Sequence, residues 1–112
     1  MNNKMKVLHL LKAREFVMES VLIPKIVEGQ ALIKFQYGML CGTDYPKYID
    51  NCLDVSAPLP YGMPLHECVG QVIESKITNL QPSTMVLAMP NNELGLAEYF
   101  IASQERIVSL LD

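Results

Sequence analysis

Two short stretches of the sequence gather most of the side chains able to do chemistry. The first is Cys41-Gly42-Thr43-Asp44 and the second is His66-Glu67. A thiolate, an imidazole and a carboxylate together suit a borderline-soft cation, above all Zn²⁺, which binds sulfur at about 2.3 Å and nitrogen or oxygen at about 2.0–2.2 Å. Spacing alone leaves the matter open. Cys41 and His66 stand 25 positions apart, which is neither a finger nor a knuckle, and a buried thiol at a strand end beside a loop-edge histidine would read the same way. Cys68, two residues after His66 in an alternating segment, reads as a small buried hydrophobe. Cys52 falls in a loop and reads as a spectator, and His9, inside an apolar segment, reads as a structural histidine. The seven methionines are scattered, as gap fillers of a core are, rather than arranged as a metal-binding stripe.

What the sequence lacks excludes other chemistries. The six glycines are too far apart to write a Gly-x-Gly-x-x-Gly turn or a Walker loop, so no nucleotide site of those types is present. There is no Gly-x-Ser-x-Gly elbow, and the two histidines give serine-hydrolase chemistry little support. Nine basic against twelve acidic residues give a formal charge of −3, which is no footprint for a nucleic-acid backbone. Three cysteines without framework spacing point to a reduced, cytoplasmic chain. The apolar stretch at residues 7–11 is interrupted by His9 and closed by Lys12 and Arg14, too short for a signal peptide. No run approaches the ~20 apolar residues of a membrane span. A soluble, cytoplasmic protein with no nucleic-acid or membrane partner is the expectation.

The elements that must position these residues read mostly in twos. With 50% hydrophobic and 19% charged residues the chain should fold around one core. Residues 5–10 and 16–23 are β-suited, and Pro24 closes the second run because it lacks a ladder amide. After a turn at Glu28-Gly29-Gln30, Ala31, Ile33, Phe35 and Tyr37 alternate with Leu32, Lys34, Gln36 and Gly38, the period of a half-buried strand. Residues 43–49 combine capping side chains with Pro46 and predict a short helix. Pro58, Pro60, Gly62 and Pro64 mark residues 50–64 as a loop. Residues 66–74 alternate again, with Cys68, Gly70, Val72 and Glu74 on one side, and further strands are predicted over 85–89, 95–102 and 106–110. Five to seven short strands with no internal repeat argue for a mainly β barrel or sandwich with one or two short helices.

Taken in order, Cys-Gly-Thr-Asp at 41–44, the proline-rich loop, His-Glu-x-x-Gly-x-Val at 66–72 and Gly-Leu-Ala-Glu-Tyr at 95–99 resemble one known family. The resemblance is to the N-terminal GroES-like domain of the zinc-dependent medium-chain alcohol dehydrogenases, and it runs over about the whole chain. It implies a GroES-like distorted β-barrel and a single domain over residues 1–112. It also implies that Cys41 and His66 bind a catalytic Zn²⁺, with Glu67 beside the metal as a ligand in some members or states. Thr43 would pass the substrate proton, and Asp44 would orient the histidine. The implied partner is a small alcohol, polyol or carbonyl substrate, and a homo-oligomer is expected.

The bottom-up chemistry is compatible with those roles. A ligating imidazole needs its second nitrogen held by a carboxylate or carbonyl, which Asp44 could supply. A zinc Lewis acid would lower the pKa of a bound alcohol. Several positions depart from the family pattern. Leu65 replaces the usual glycine before His-Glu, Ser75-Lys76 stands near a second expected glycine, and Pro82-Ser83-Thr84-Met85-Val86 replaces a Pro-Gly-Asp-x-Val turn. Residues 90–94 are too short and lack the cysteines of a structural-zinc lobe. The chain stops where that family continues into a nucleotide-binding domain, so an excised or truncated segment is expected. NAD or NADP would then bind only through the missing Rossmann domain, the chain alone would not turn over, and its exposed apolar surface would favour self-association. The competing readings are a non-enzymatic GroES-like interaction module with idle ligand residues and a zinc-free reductase of the same superfamily.

Overall fold

In a computed structural model of the chain, residues 3–49 and 58–110 are described. Strands β1 (Lys4–Lys12) and β2 (Glu15–Leu22) pair antiparallel as a hairpin, with Arg14 at φ 63° in its turn. Along β1, Met5, Val7 and Leu10 are buried. Five further strands form one antiparallel sheet: β3 (Gln30–Gly38), β4 (Cys68–Ser75), β5 (Met85–Ala88), β6 (Tyr99–Ser103) and β7 (Ile107–Ser109), in the order β6-β3-β4-β5-β7. The helix α1 spans Tyr45–Ile49, and 3₁₀ turns occupy Asn91–Glu93 and Gln104–Arg106. Among the described residues the architecture is mainly β with one short α-helix, as the alternating segments predict.

The core is built on the inner face of the five-stranded sheet. Phe100, Ile33, Val72, Val86, Leu65 and Cys68 pack there with the alanines at 31, 88 and 102. They come in pairs from β3, β4, β5 and β6, with Leu65 from the segment before β4, so burial across strands far apart in sequence holds the sheet together. On β4 the predicted alternation holds through Cys68, Gly70 and Val72, all buried.

Two predicted segments come out differently. The strand expected over residues 95–102 is regular only from Tyr99. Residues 96–98 instead bridge the hairpin and the sheet: Leu8 N–H donates to the Leu96 carbonyl at 2.9 Å, Glu98 N–H to Lys6 at 3.0 Å, and Phe35 N–H to Glu98 at 2.9 Å. A segment serving two sheets at once cannot keep one ladder's register. The Glu98 carboxylate also accepts the Lys6 N–H at 2.6 Å. The second difference is on β3, where Tyr37 is 72% exposed and Leu32 is buried, against strict alternation. Register shifts between Leu32 and Ile33 and between Phe35 and Tyr37 rotate the strand, as β-bulges do. Tyr37 therefore joins the outer face, in a cross-strand row with Val69, Leu87 and Val108.

The turn at Pro82-Ser83-Thr84 carries a strained residue. Ser83 takes φ 75°, a left-handed conformation that a glycine adopts freely.

Candidate metal centre

The ladder between β3 and β4 turns a long sequence separation into adjacency. Gly38 pairs with Cys68, and Met39 N–H donates to the Glu67 carbonyl at 2.9 Å, which continues the antiparallel register one step beyond the strands. Continued further, that register sets the residues after Met39 against those before Glu67. Cys41 and His66 meet there, with Cys41 Sγ 3.4 Å from His66 Nε2.

Asp44 ties the two stretches together. Its Oδ1 accepts from His66 Nδ1 at 2.9 Å and its Oδ2 accepts the Cys41 N–H at 3.0 Å. Its own N–H donates to the Cys41 carbonyl at 3.0 Å. The side chain is 0% exposed, and a buried carboxylate persists only when paired in this way. With Nδ1 held as the donor to Asp44, the imidazole presents Nε2 to the sulfur. Thr43, which could have capped α1, places Oγ1 3.2 Å from Cys41 Sγ, and its N–H points at the same sulfur at 3.5 Å.

The donor set and its spacing fit a zinc-like cation. A sulfur and a nitrogen at tetrahedral positions around zinc stand about 3.5 Å apart, close to the observed Sγ–Nε2 distance. Ligand atoms of Cys41, Asp44 and His66 lie within 4.8 Å of one another. Both Asp44 oxygens are already engaged, so its geometry is that of an orienting group. Glu67 Oε1 lies 3.9 Å from His66 Nε2 on a half-exposed side chain, near the pair but outside close contact.

The remaining sequence candidates separate from this cluster. Cys68 is buried in the core, and burial, with the Asp44 charge as a lesser cause, pushes its thiol up to about 12. His9 pairs through Nδ1 with Glu19 across the hairpin, away from Cys41. Cys52 lies outside the described residues. Sequence reasoning missed what steadies α1: Lys47 Nζ meets Glu93 Oε1 at 2.5 Å, Arg14 N–H donates to the Tyr48 carbonyl at 2.7 Å, and the Phe16 and Tyr48 rings stack at 5.5 Å. These contacts join remote positions and carry no sequence signal. A cavity of about 350 Å³ lies behind the helix, walled by Phe16, Phe35, Tyr45, Tyr48 and Leu65, with Asp44 as its acidic member.

No protein-family model matches the chain, and no curated protein matches it in sequence. Solved structures do match in fold. The quinone oxidoreductase from Coxiella burnetii superposes with a TM-score of 0.77 at 19% identity, covering 97% of this chain and 38% of that one. The 2R,3R-butanediol dehydrogenase from Bacillus subtilis gives 0.77 at 20%, covering 96% and 41%. S. aureus TarJ in complex with NADPH gives 0.75 at 23%, covering 97% and 34%. The fold is the GroES-like domain that these dehydrogenase and oxidoreductase structures share. The chain spans about two fifths of the length of the first of them. Among the described residues no helix is long and apolar enough to cross a membrane.

Proposed function

We propose that the chain is the metal- and substrate-binding domain of a zinc-dependent NAD(P) alcohol or polyol dehydrogenase, one domain over residues 1–112 working in a reducing, cytoplasmic setting. The observation that carries this reading is the chain Cys41–His66–Asp44, in which a thiol and an imidazole nitrogen face each other at 3.4 Å while a buried carboxylate holds the ring at 2.9 Å. Dehydrogenase and NADPH-bound neighbours of the same fold add support.

Cys41 Sγ and His66 Nε2 would hold the cation, with Glu67 as a carboxylate able to approach by rotating its exposed side chain. When bound, the cation supplies Lewis acidity at the substrate oxygen, and a nicotinamide held by another domain supplies the hydride acceptor. Asp44 keeps the His66 proton on Nδ1, so that Nε2 offers its lone pair. Thr43 Oγ1, exposed and 3.2 Å from Cys41 Sγ, stands where it can take the proton of a substrate hydroxyl and pass it to solvent.

The test is elemental analysis of protein purified without chelator, with Cys41→Ser and His66→Ala beside it. About one zinc per chain, lost in both variants, is the expected result. Metal-free wild type that also fails to take up added Zn²⁺ would overturn the reading and favour the idle-ligand module.

A further inference from the structure

The two stretches that carry the candidate ligands also meet at a second place, away from Cys41 and His66. None of the five described residues of helix α1 is buried, so its position depends on side-chain contacts made from its surface. On it, Lys47 Nζ reaches Glu93 Oε1 at 2.5 Å, and the lysine side chain is only 15% exposed. Glu93 in turn accepts the Leu65 N–H on its main-chain oxygen at 3.0 Å, immediately before His66. One residue thus grips the helix that follows Thr43-Asp44 with its side chain and the entry to His66-Glu67 with its backbone.

The backbone at that residue is unusual. Asn92 and Glu93 stand at φ 58° and 62°, successive left-handed positions. Asparagine tolerates this region; glutamate gains nothing from it locally. Strain of this kind persists where the surroundings over-determine it, and an observed outlier is a pointer to function. Here the consequence is specific, because the conformation sets side chain and carbonyl on two different segments.

We propose that Glu93, through Lys47, is a positioning residue of the metal centre: it sets the separation of the Cys41 and His66 stretches. This rests on the metal reading above.

The discriminating variant is Glu93→Gly, which deletes the carboxylate but relieves the left-handed backbone and keeps the carbonyl that holds Leu65. Lys47→Met removes the pair from the other side, and the swap Lys47→Glu with Glu93→Lys restores it in reverse. For each, Zn²⁺ affinity is measured by chelator competition, the Co²⁺-loaded spectrum reports thiolate–metal geometry, and a melting curve reports stability. Partners of metal-bound histidines typically matter about 10–100-fold in affinity, and one contact further out about 5-fold is expected. Glu93→Gly should therefore lose about 5-fold in Zn²⁺ affinity while melting at the same or a higher temperature, and the swap should recover most of the loss. Unchanged affinity in Glu93→Gly, or a loss in Lys47→Met that tracks melting and is not rescued by the swap, overturns the proposal. If the wild type binds neither metal, the metal reading falls, and the clamp is judged by the His66 ring nitrogens in NMR. A single Nδ1–H tautomer that becomes mixed in Glu93→Gly upholds it, and an unchanged ring overturns it.

Discussion

The described residues hold two histidines, each joined through Nδ1 to a carboxylate, and the two pairs differ in nearly everything else. His9 meets Glu19 across the β1–β2 hairpin, with the Tyr61 ring tilted against the imidazole at 4.4 Å. Glu19 is about one-third exposed, and among the described residues no hydrogen bond joins this ring to a sulfur. His66 meets Asp44 beside the five-stranded sheet, where the carboxylate is wholly buried and also holds the Cys41 N–H. A histidine–carboxylate pair alone is a structural tie. It becomes a candidate site where the carboxylate has a second duty and the free ring nitrogen faces another ligand atom.

The largest expected difference between the two regions comes from deleting the carboxylates. Asp44→Ala leaves the Cys41 N–H and His66 Nδ1–H without their acceptor in a buried place, which should cost about 2–4 kcal/mol in urea unfolding. Zn²⁺ affinity should fall about 10–100-fold with it. Glu19→Ala should cost about 1 kcal/mol or less and leave zinc uptake as in the wild type. Equal effects on zinc from the two variants would erase the distinction.

A smaller but more local break is available at Gly95. A Cβ built there would sit 2.7 Å from the Leu65 carbonyl and 2.8 Å from Cys68 Sγ, against the residues on either side of His66-Glu67. Gly95→Ala should destabilise by about 1–3 kcal/mol through overpacking. In NMR the His66 ring signals should move while those of His9 stay.

Much of this arrangement is legible in the sequence, for identifiable reasons. The strands are readable where one face is buried throughout, as at Cys68, Gly70 and Val72, because period and burial then coincide. Reading fails where a bulge rotates the strand, which turned Tyr37 outward, and where residues 96–98 serve two ladders. The candidate site is readable as residue types at 41–44 and 66–67, since their chemistry is intrinsic to the side chains. Their adjacency comes from the β3–β4 register, and the Lys47–Glu93 contact joins two irregular segments that no periodicity marks. In the Pro82-Ser83-Thr84 turn, Ser83 takes a left-handed conformation that no sequence period announces.

The two free thiols among the described residues, Cys41 and Cys68, sharpen the contrast. Cys68 is raised in the fold from 9.0 to about 12, first by burial and then by the Asp44 charge. Its neutral thiol is therefore favoured by folding below pH 9. That stability is lost progressively as pH rises from about 9 through about 12, because the unfolded chain sheds this proton first. Native protein at pH 8 should be labelled by a thiol reagent at Cys41, which is partly exposed, and not at Cys68. Cys68→Ala should flatten the alkaline decline of stability. Rapid labelling of Cys68 in folded protein would refute the assignment.

The smallest effect concerns the outer surfaces of the two regions. Beside the candidate site the sheet carries the row Tyr37, Val69, Leu87 and Val108, joined strand to strand by the ladder, with Val108 61% exposed on the edge strand β7. On the hairpin, exposed Met18 and Leu22 stand four residues apart on one strand. A continuous apolar row ending at an edge strand can bury area against a second copy and extend its ladder, whereas scattered apolar side chains are ordinary surface. Weak, concentration-dependent self-association is therefore expected in sedimentation velocity. Val108→Lys should suppress it, since a lysine on an edge strand opposes edge-to-edge pairing, and Met18→Lys should leave it unchanged. A wild-type chain that remains monomeric at high concentration, or an equal response to both lysines, would show that the row is no more adhesive than the hairpin. The distinction between the regions would then rest on the interior of the site alone.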